Sequence, residues 1–171
     1  MVVNTHTQVT KLRQTIVENA ETAFSELKNY AQNTDALQFF ASIKFIPLGK
    51  DPITGDALNL IEQINQTYSD LVVLAATHDL IDRYPEKTFI LQLGAASGFD
   101  VQSTDGEVAA ECFAVTSVSS NDKMNKDCKK LMKSEAEQKY IFFYTYQDSE
   151  RKLQNRYKKY PDIHFERVYR L

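Results

Sequence analysis

Residues 139–146, KYIFFYTY, are apolar or aromatic at nearly every position, not at every second one. A strand with one wet face alternates; an unbroken run of this length fits a central strand covered on both faces. The chain around it supplies the layers. From residue 56 the order of expected elements is helix, three strands, helix, strand, helix, strand, which is an α/β arrangement with no internal repeat.

The N-terminal part reads as helix. Val9, Leu12, Ile16, Ala20, Ala23, Leu27 and Tyr30 recur at helical spacing over residues 8–31, a stripe expected to pack on its own domain and also suited to pairing two copies in a homodimer. A strand is expected in FASIKFIPLGK (40–50), then the turn-rich PLGKDPITGD (47–56). Gly49-Lys50 is not a phosphate loop, because the second glycine spacing and the hydroxyl after the lysine are missing. Asp56 is placed to cap a helix reaching Tyr84, which Pro85 ends.

The remaining elements follow in turn. A strand is expected at 88–94, a flexible connection from Gly94 to Gly98, and a hairpin at 99–104 and 107–115. Ser119 or Ser120 is placed to cap a helix to Ser134, and Ser149 to open one to Tyr160. IHFERVY (163–169) closes the chain as an edge strand. The whole reads as one domain: an N-terminal extension (1–55), a core (56–146) and a C-terminal helix and edge strand (147–171).

Composition narrows the class. The chain has 171 residues, of which 43% are hydrophobic and 25% charged, enough for a sizeable core. LVVLAATHDL is too short to span a bilayer, and no basic start leads into an apolar leader, so a cytoplasmic protein is expected. Cys112 and Cys128 fall in a strand and a helix without metal-type spacing and read as free thiols. His78-Asp79 sits mid-helix, and His6 and His164 have no companions at ligand spacing, so neither a histidine metal site nor a Ser-His-Asp machine is expected. Residues 1–122 hold 7 Lys/Arg against 16 Asp/Glu, whereas residues 123–171 hold 13 against 7. A basic C-terminal third suits a polyanionic partner.

The hairpin carries the candidate chemistry. Asp105-Gly106 tolerates the left-handed geometry of a two-residue turn, which would pair Thr104 with Glu107 and Val101 with Ala110, and set Asp100 opposite Glu111. Facing side chains share one side of the sheet with Cβ atoms roughly 4.5–5.5 Å apart. Two like charges so placed call for a compensating partner, and a divalent cation meets that need. Phe99, Val101, Ser103, Val108, Ala110 and Cys112 fall on the other, core-facing side, leaving Asp100 and Glu111 on the more polar face.

Asp100 at the start of the second strand and Glu111 within the third, in this element order over residues 56–146, resemble the PD-(D/E)XK restriction-endonuclease-like superfamily. The resemblance implies a mixed sheet flanked by helices, here with an extra N-terminal helix, and Mg²⁺ (or Mn²⁺) held by Asp100 and Glu111 to hydrolyse DNA phosphodiesters. It also implies an acid on the helix before the first strand, where Glu62 is available. The family's lysine, two residues after the second acid, is replaced by Phe113. Lys123, in the first turn of the next helix, is the expected substitute. Lys126, Lys130 and Lys133 repeat on that helix as a ridge for phosphates. Arg151, Lys152, Arg156, Lys158 and Lys159, interleaved with Tyr157 and Tyr160, form a second basic stretch, although such tyrosines also pack inward with Leu153. Phe113 equally suits a module of this fold that binds nucleic acid or a protein without catalysis.

Overall fold

The computed structural model describes residues 1–94, 97–146 and 150–171, with backbone only at 150–152 and 156. The expected helix start at Ser149 and the side chains of Arg151, Lys152 and Arg156 lie outside the described residues. A short strand β1 (Val2–Val3) precedes helices α1 (His6–Gln32) and α2 (Ala36–Phe45). A small β2 (Gly49–Lys50) and β3 (Ala57–Leu58) pair with each other ahead of helix α3 (Leu60–Arg83). Then come β4 (Phe89–Leu91), β5 (Val101–Ser103), β6 (Val108–Val115), α4 (Lys123–Leu131), β7 (Gln138–Thr145), α5 (Glu150–Tyr157) and β8 (His164–Arg167). No helix among the described residues is long and apolar enough to cross a membrane.

The main sheet is mixed, ordered β1-β4-β5-β6-β7-β8. Pairings are antiparallel from β1 to β6 and parallel between β6, β7 and β8. The apolar run becomes β7, flanked by β6 and the edge strand β8, with Tyr140, Ile141, Phe142 and Phe143 all buried. Its alternate residues feed two cores. Tyr140 and Phe142 join Val101, Ala110 and Cys112 under α1 and α3. Ile141 and Phe143 join Ala109 and Phe113 under α4 and α5, against Met124, Cys128, Leu131 and Leu153.

This corrects the expected faces. The side of β6 that carries Glu111 and Phe113 is not a solvent face but the floor of the second core, because α4 lies over it. The register matches expectation: Val101 pairs with Ala110 and Gln102 with Ala109. The turn is wider than expected. Gly106 N–H bonds Ser103 O at 2.9 Å with Gly106 at φ +80°, so one residue leaves each strand in step and the pairing below is unchanged. Lys87 fastens the turn from β4's side, donating to Asp105 at 2.6 Å and to Glu107 at 2.5 Å.

Other boundaries move for local reasons. FASIKF is helical, not a strand: Asp35 caps α2 by accepting from Gln38 N–H at 3.0 Å, and Ser42 is held by Tyr30 of α1 at 2.6 Å. Asn59, not Asp56, caps α3; Asp56 is used in the β2–β3 turn, where Thr54 donates to it at 2.8 Å. Helix α4 starts at Lys123, after Asn121 and Asp122 at φ 52° and 53°. Ser119 makes no side-chain cap. Asn and Asp tolerate this left-handed geometry best after glycine, so the helix can turn sharply back over β6.

Phe143 is fully buried and stacks on Phe113 with ring centroids 6.0 Å apart. Phe143→Ala is expected to cost about 3–5 kcal/mol of stability by leaving a cavity between sheet and helices. Urea unfolding should show the midpoint falling with little change in slope.

Candidate active site

The β5–β6 register carries Asp100, one residue ahead of β5, to the level of Glu111. Asp100 Oδ2 accepts the Cys112 backbone N–H at 2.7 Å, and the Asp100 charge acts directly on the Glu111 carboxyl. Glu111 points from β6 beneath α4 and is only 2% exposed. A carboxylate so buried needs partners.

Helix α4 supplies them along one line. Lys123, Asp127 and Lys130 sit at i, i+4 and i+7, beside the buried stripe of Met124, Cys128 and Leu131 at the same spacing. Lys130 Nζ meets Glu111 Oε1 and donates to Gly98 O at 2.5 Å, lying 5.2 Å from the Phe99 ring centroid. Lys123 Nζ donates to Asp127 Oδ1 at 2.8 Å and lies 6.0 Å from the Phe113 ring. The structure therefore brings Asp100, Glu111, Lys123 and Lys130 together and adds Asp127, which sequence reasoning missed. Lys130, expected on the phosphate ridge, is the lysine that meets Glu111; Lys123 enters the same cluster by way of Asp127.

The proton affinities follow from burial and crowding. Burial, then the neighbouring Asp100, push the Glu111 carboxyl up to about 7. Burial raises Asp100 too, against the opposing pull of the Cys112 N–H, Lys123 and Lys130. Asp127 is raised by burial despite Lys123, and its Oδ2 has no hydrogen-bond partner among the described residues. For Lys123, burial acts downward but Asp127, Asp100 and Glu111 together hold it above its usual value. Burial and the same acids push the Cys112 thiol well up, so it is no thiolate nucleophile.

A further buried acid sits on α3, on the other side of the sheet. Asp70 of α3 is buried and accepts Gly94 N–H at 3.1 Å, its Oδ2 left without a partner among the described residues. Burial, with lesser contributions from Asp51 and Asp100, raises it to about 6. Glu62, the expected helper acid, is exposed in the first turn of α3, and Asp70 is the acid that this helix buries. Its signal was a charge on the apolar side of a helix, between Leu71 and the buried Gln63.

Asp100, Glu111 and Asp127 thus share a largely buried setting with two ammonium groups, Lys123 and Lys130. Carboxylate oxygens are the donor type that Mg²⁺ or Mn²⁺ takes, and Asp100 with Glu111 would supply a pair of them; among the described residues no third acid brings a ligand atom within 4.8 Å of both. Beside the cluster, Phe99, Lys126, Lys129, Lys130, Lys133 and Ser134 line a concavity of about 520 Å³. Lys126 and Lys133 are exposed there and lie outside the acid cluster; Lys129 joins them without having been expected. Of the second basic stretch, Tyr157 stacks on Phe165 at 4.7 Å and Tyr160 bonds Asn125, so both tyrosines serve packing. No family model matches the chain, and neither a curated protein nor a solved structure is similar to it.

The Glu111 shift sets a pH dependence. Its folded value lies above the ordinary 4.5, so the stability it lends as a neutral acid is complete below about 4.5 and is lost as pH rises through about 7. Asp70 adds the same trend between 3.8 and about 6. Glu111→Gln is expected to be more stable than wild type at about pH 8 without divalent cation, and equal to it near pH 5. Thermal unfolding in chelator across that range checks this; a wild type that gains stability from pH 5 to 8 contradicts it.

Proposed function

We propose that this chain is a restriction-endonuclease-like nuclease that hydrolyses DNA phosphodiesters with Mg²⁺ or Mn²⁺. The single observation that carries the reading is the hairpin register that joins Asp100 to Glu111 beneath a helix whose lysines enter the same cluster. The element order of α3, β4–β6, α4 and β7, with the antiparallel-then-parallel sheet, agrees with it.

Asp100 and Glu111 would hold the cation, which when bound acts as a Lewis acid and lowers the pKa of its water. Asp100 is oriented by the Cys112 N–H, which leaves its other oxygen for ligation. Glu111 is oriented by Lys130, whose ammonium adds positive charge where a scissile phosphate would develop negative charge. Lys123 is the second ammonium; Asp127 fixes it, so it acts on the field of the site more than on one oxygen. Lys126, Lys129 and Lys133 would grip phosphates on either side of the scissile bond along the neighbouring concavity.

The specific observation favouring a second reading is Phe113. It occupies the strand position of the family's lysine and is committed to the core against Phe143. On that reading the domain binds nucleic acid without cutting it, and the acid–lysine cluster is only a structural ion network.

Nicking of supercoiled plasmid separates the two. Wild type is expected to nick with Mg²⁺ or Mn²⁺, and Asp100→Asn or Glu111→Gln to abolish nicking while keeping DNA binding. Lys130→Ala should lower the rate by about 10²–10³. Lys129→Ala with Lys133→Ala should weaken binding and flatten its salt dependence. If wild type binds DNA yet never nicks it with either metal, the non-catalytic reading replaces the nuclease.

A further inference from the structure

His6, His78 and Asp82 lie far apart in sequence but close together in the fold. His6 opens α1, where Thr5 and Gln8 form a reciprocal cap, and the β1–β4 pairing holds the chain just before it. His78 and Asp82 are i, i+4 on α3, which puts them on one side of that helix. The imidazoles approach to 4.0 Å between ring centroids, tilted by 43°. One carboxylate serves both rings: Asp82 Oδ1 is 3.0 Å from His6 Nε2, and Oδ2 is 3.5 Å from His78 Nδ1.

The three donor atoms lie within 4.8 Å of one another. A tetrahedral zinc-type ion, with bonds of about 2.0–2.1 Å, asks for about 3.3–3.4 Å between donors. Only small rotations of exposed side chains separate the two geometries, and the backbone already stands in place. Two imidazoles and one carboxylate form a mixed nitrogen–oxygen donor set that suits a borderline ion and not Mg²⁺. The side chains are 41%, 56% and 62% exposed, so a fourth position opens to water.

The geometry points to a binding site for a divalent ion of the zinc class at His6, His78 and Asp82, clamping the start of α1 to α3. It is distinct from the acid cluster and does not depend on the nuclease reading. His6 Nδ1 is buried without a hydrogen-bond partner among the described residues. Missing outer support of that kind typically lowers metal affinity about 10–100-fold. The site is therefore an open one of moderate affinity.

Titration of the full chain with Co²⁺ in excess Mg²⁺, followed by visible absorption, tests the site. Wild type should show a saturable, intense band that Zn²⁺ abolishes. The band should be lost in His6→Gln/His78→Gln and kept in Asp100→Asn/Glu111→Gln. Zn²⁺ at about 100 times its Kd should raise the wild-type Tm by roughly 5–10 °C and leave the histidine double variant unmoved. Absence of a saturable band in wild type, its survival in the histidine variant, or its loss in the Asp100/Glu111 variant would each overturn the assignment.

Discussion

A carboxylate buried to 2% exposure between a sheet and a helix is the constraint on which the rest of this site depends. Left alone, Glu111 would carry a desolvation cost of several kcal/mol. Two responses are visible: α4 brings Lys130 onto the carboxylate, and the carboxyl's proton affinity rises with burial and with the Asp100 charge that the hairpin sets beside it. Each is a local consequence of backbone arrangement. The β5–β6 register fixes Asp100, and the left-handed pair Asn121-Asp122 turns α4 back so that Lys123, Asp127 and Lys130 face the strand.

Much of this frame is legible in the sequence. The β7 run is apolar at consecutive positions because both cores draw on it, as they also draw on consecutive buried residues of β6. The hairpin register is legible because strand alternation tolerates only even slips, so even the wrong turn type left Asp100 and Glu111 facing. What alternation does not reveal is which side a later helix will cover. Gln102 and Glu111 read as a wet face, yet α4 converts that face into a second core.

The missed residues share one cause: their partners come from distant elements. Asp127 reads as one more charge on a lysine-rich helix until the helix is placed over β6. Asp70 is a polar residue on an apolar side, and its partner is the Gly94 backbone N–H beyond β4. His6 and His78 are separated by the whole length of α1, α2 and the β2–β3 turn, and only the packing of α1 on α3 makes them neighbours. The expected strand at 40–50 failed for a nearer reason: a single capping aspartate, Asp35, outweighs an ambiguous apolar pattern.

On the proposed reading, a hard divalent cation binds at Asp100 and Glu111 and displaces the proton that burial holds on Glu111 near pH 7. Calorimetric titration of Mg²⁺ into the full chain near pH 7, repeated in buffers of different ionisation enthalpy, measures protons released on binding. The account predicts saturable binding with net proton release that shrinks above about pH 8, where Glu111 is already ionised. Saturable binding without proton release near pH 7, or no binding at all, would contradict it.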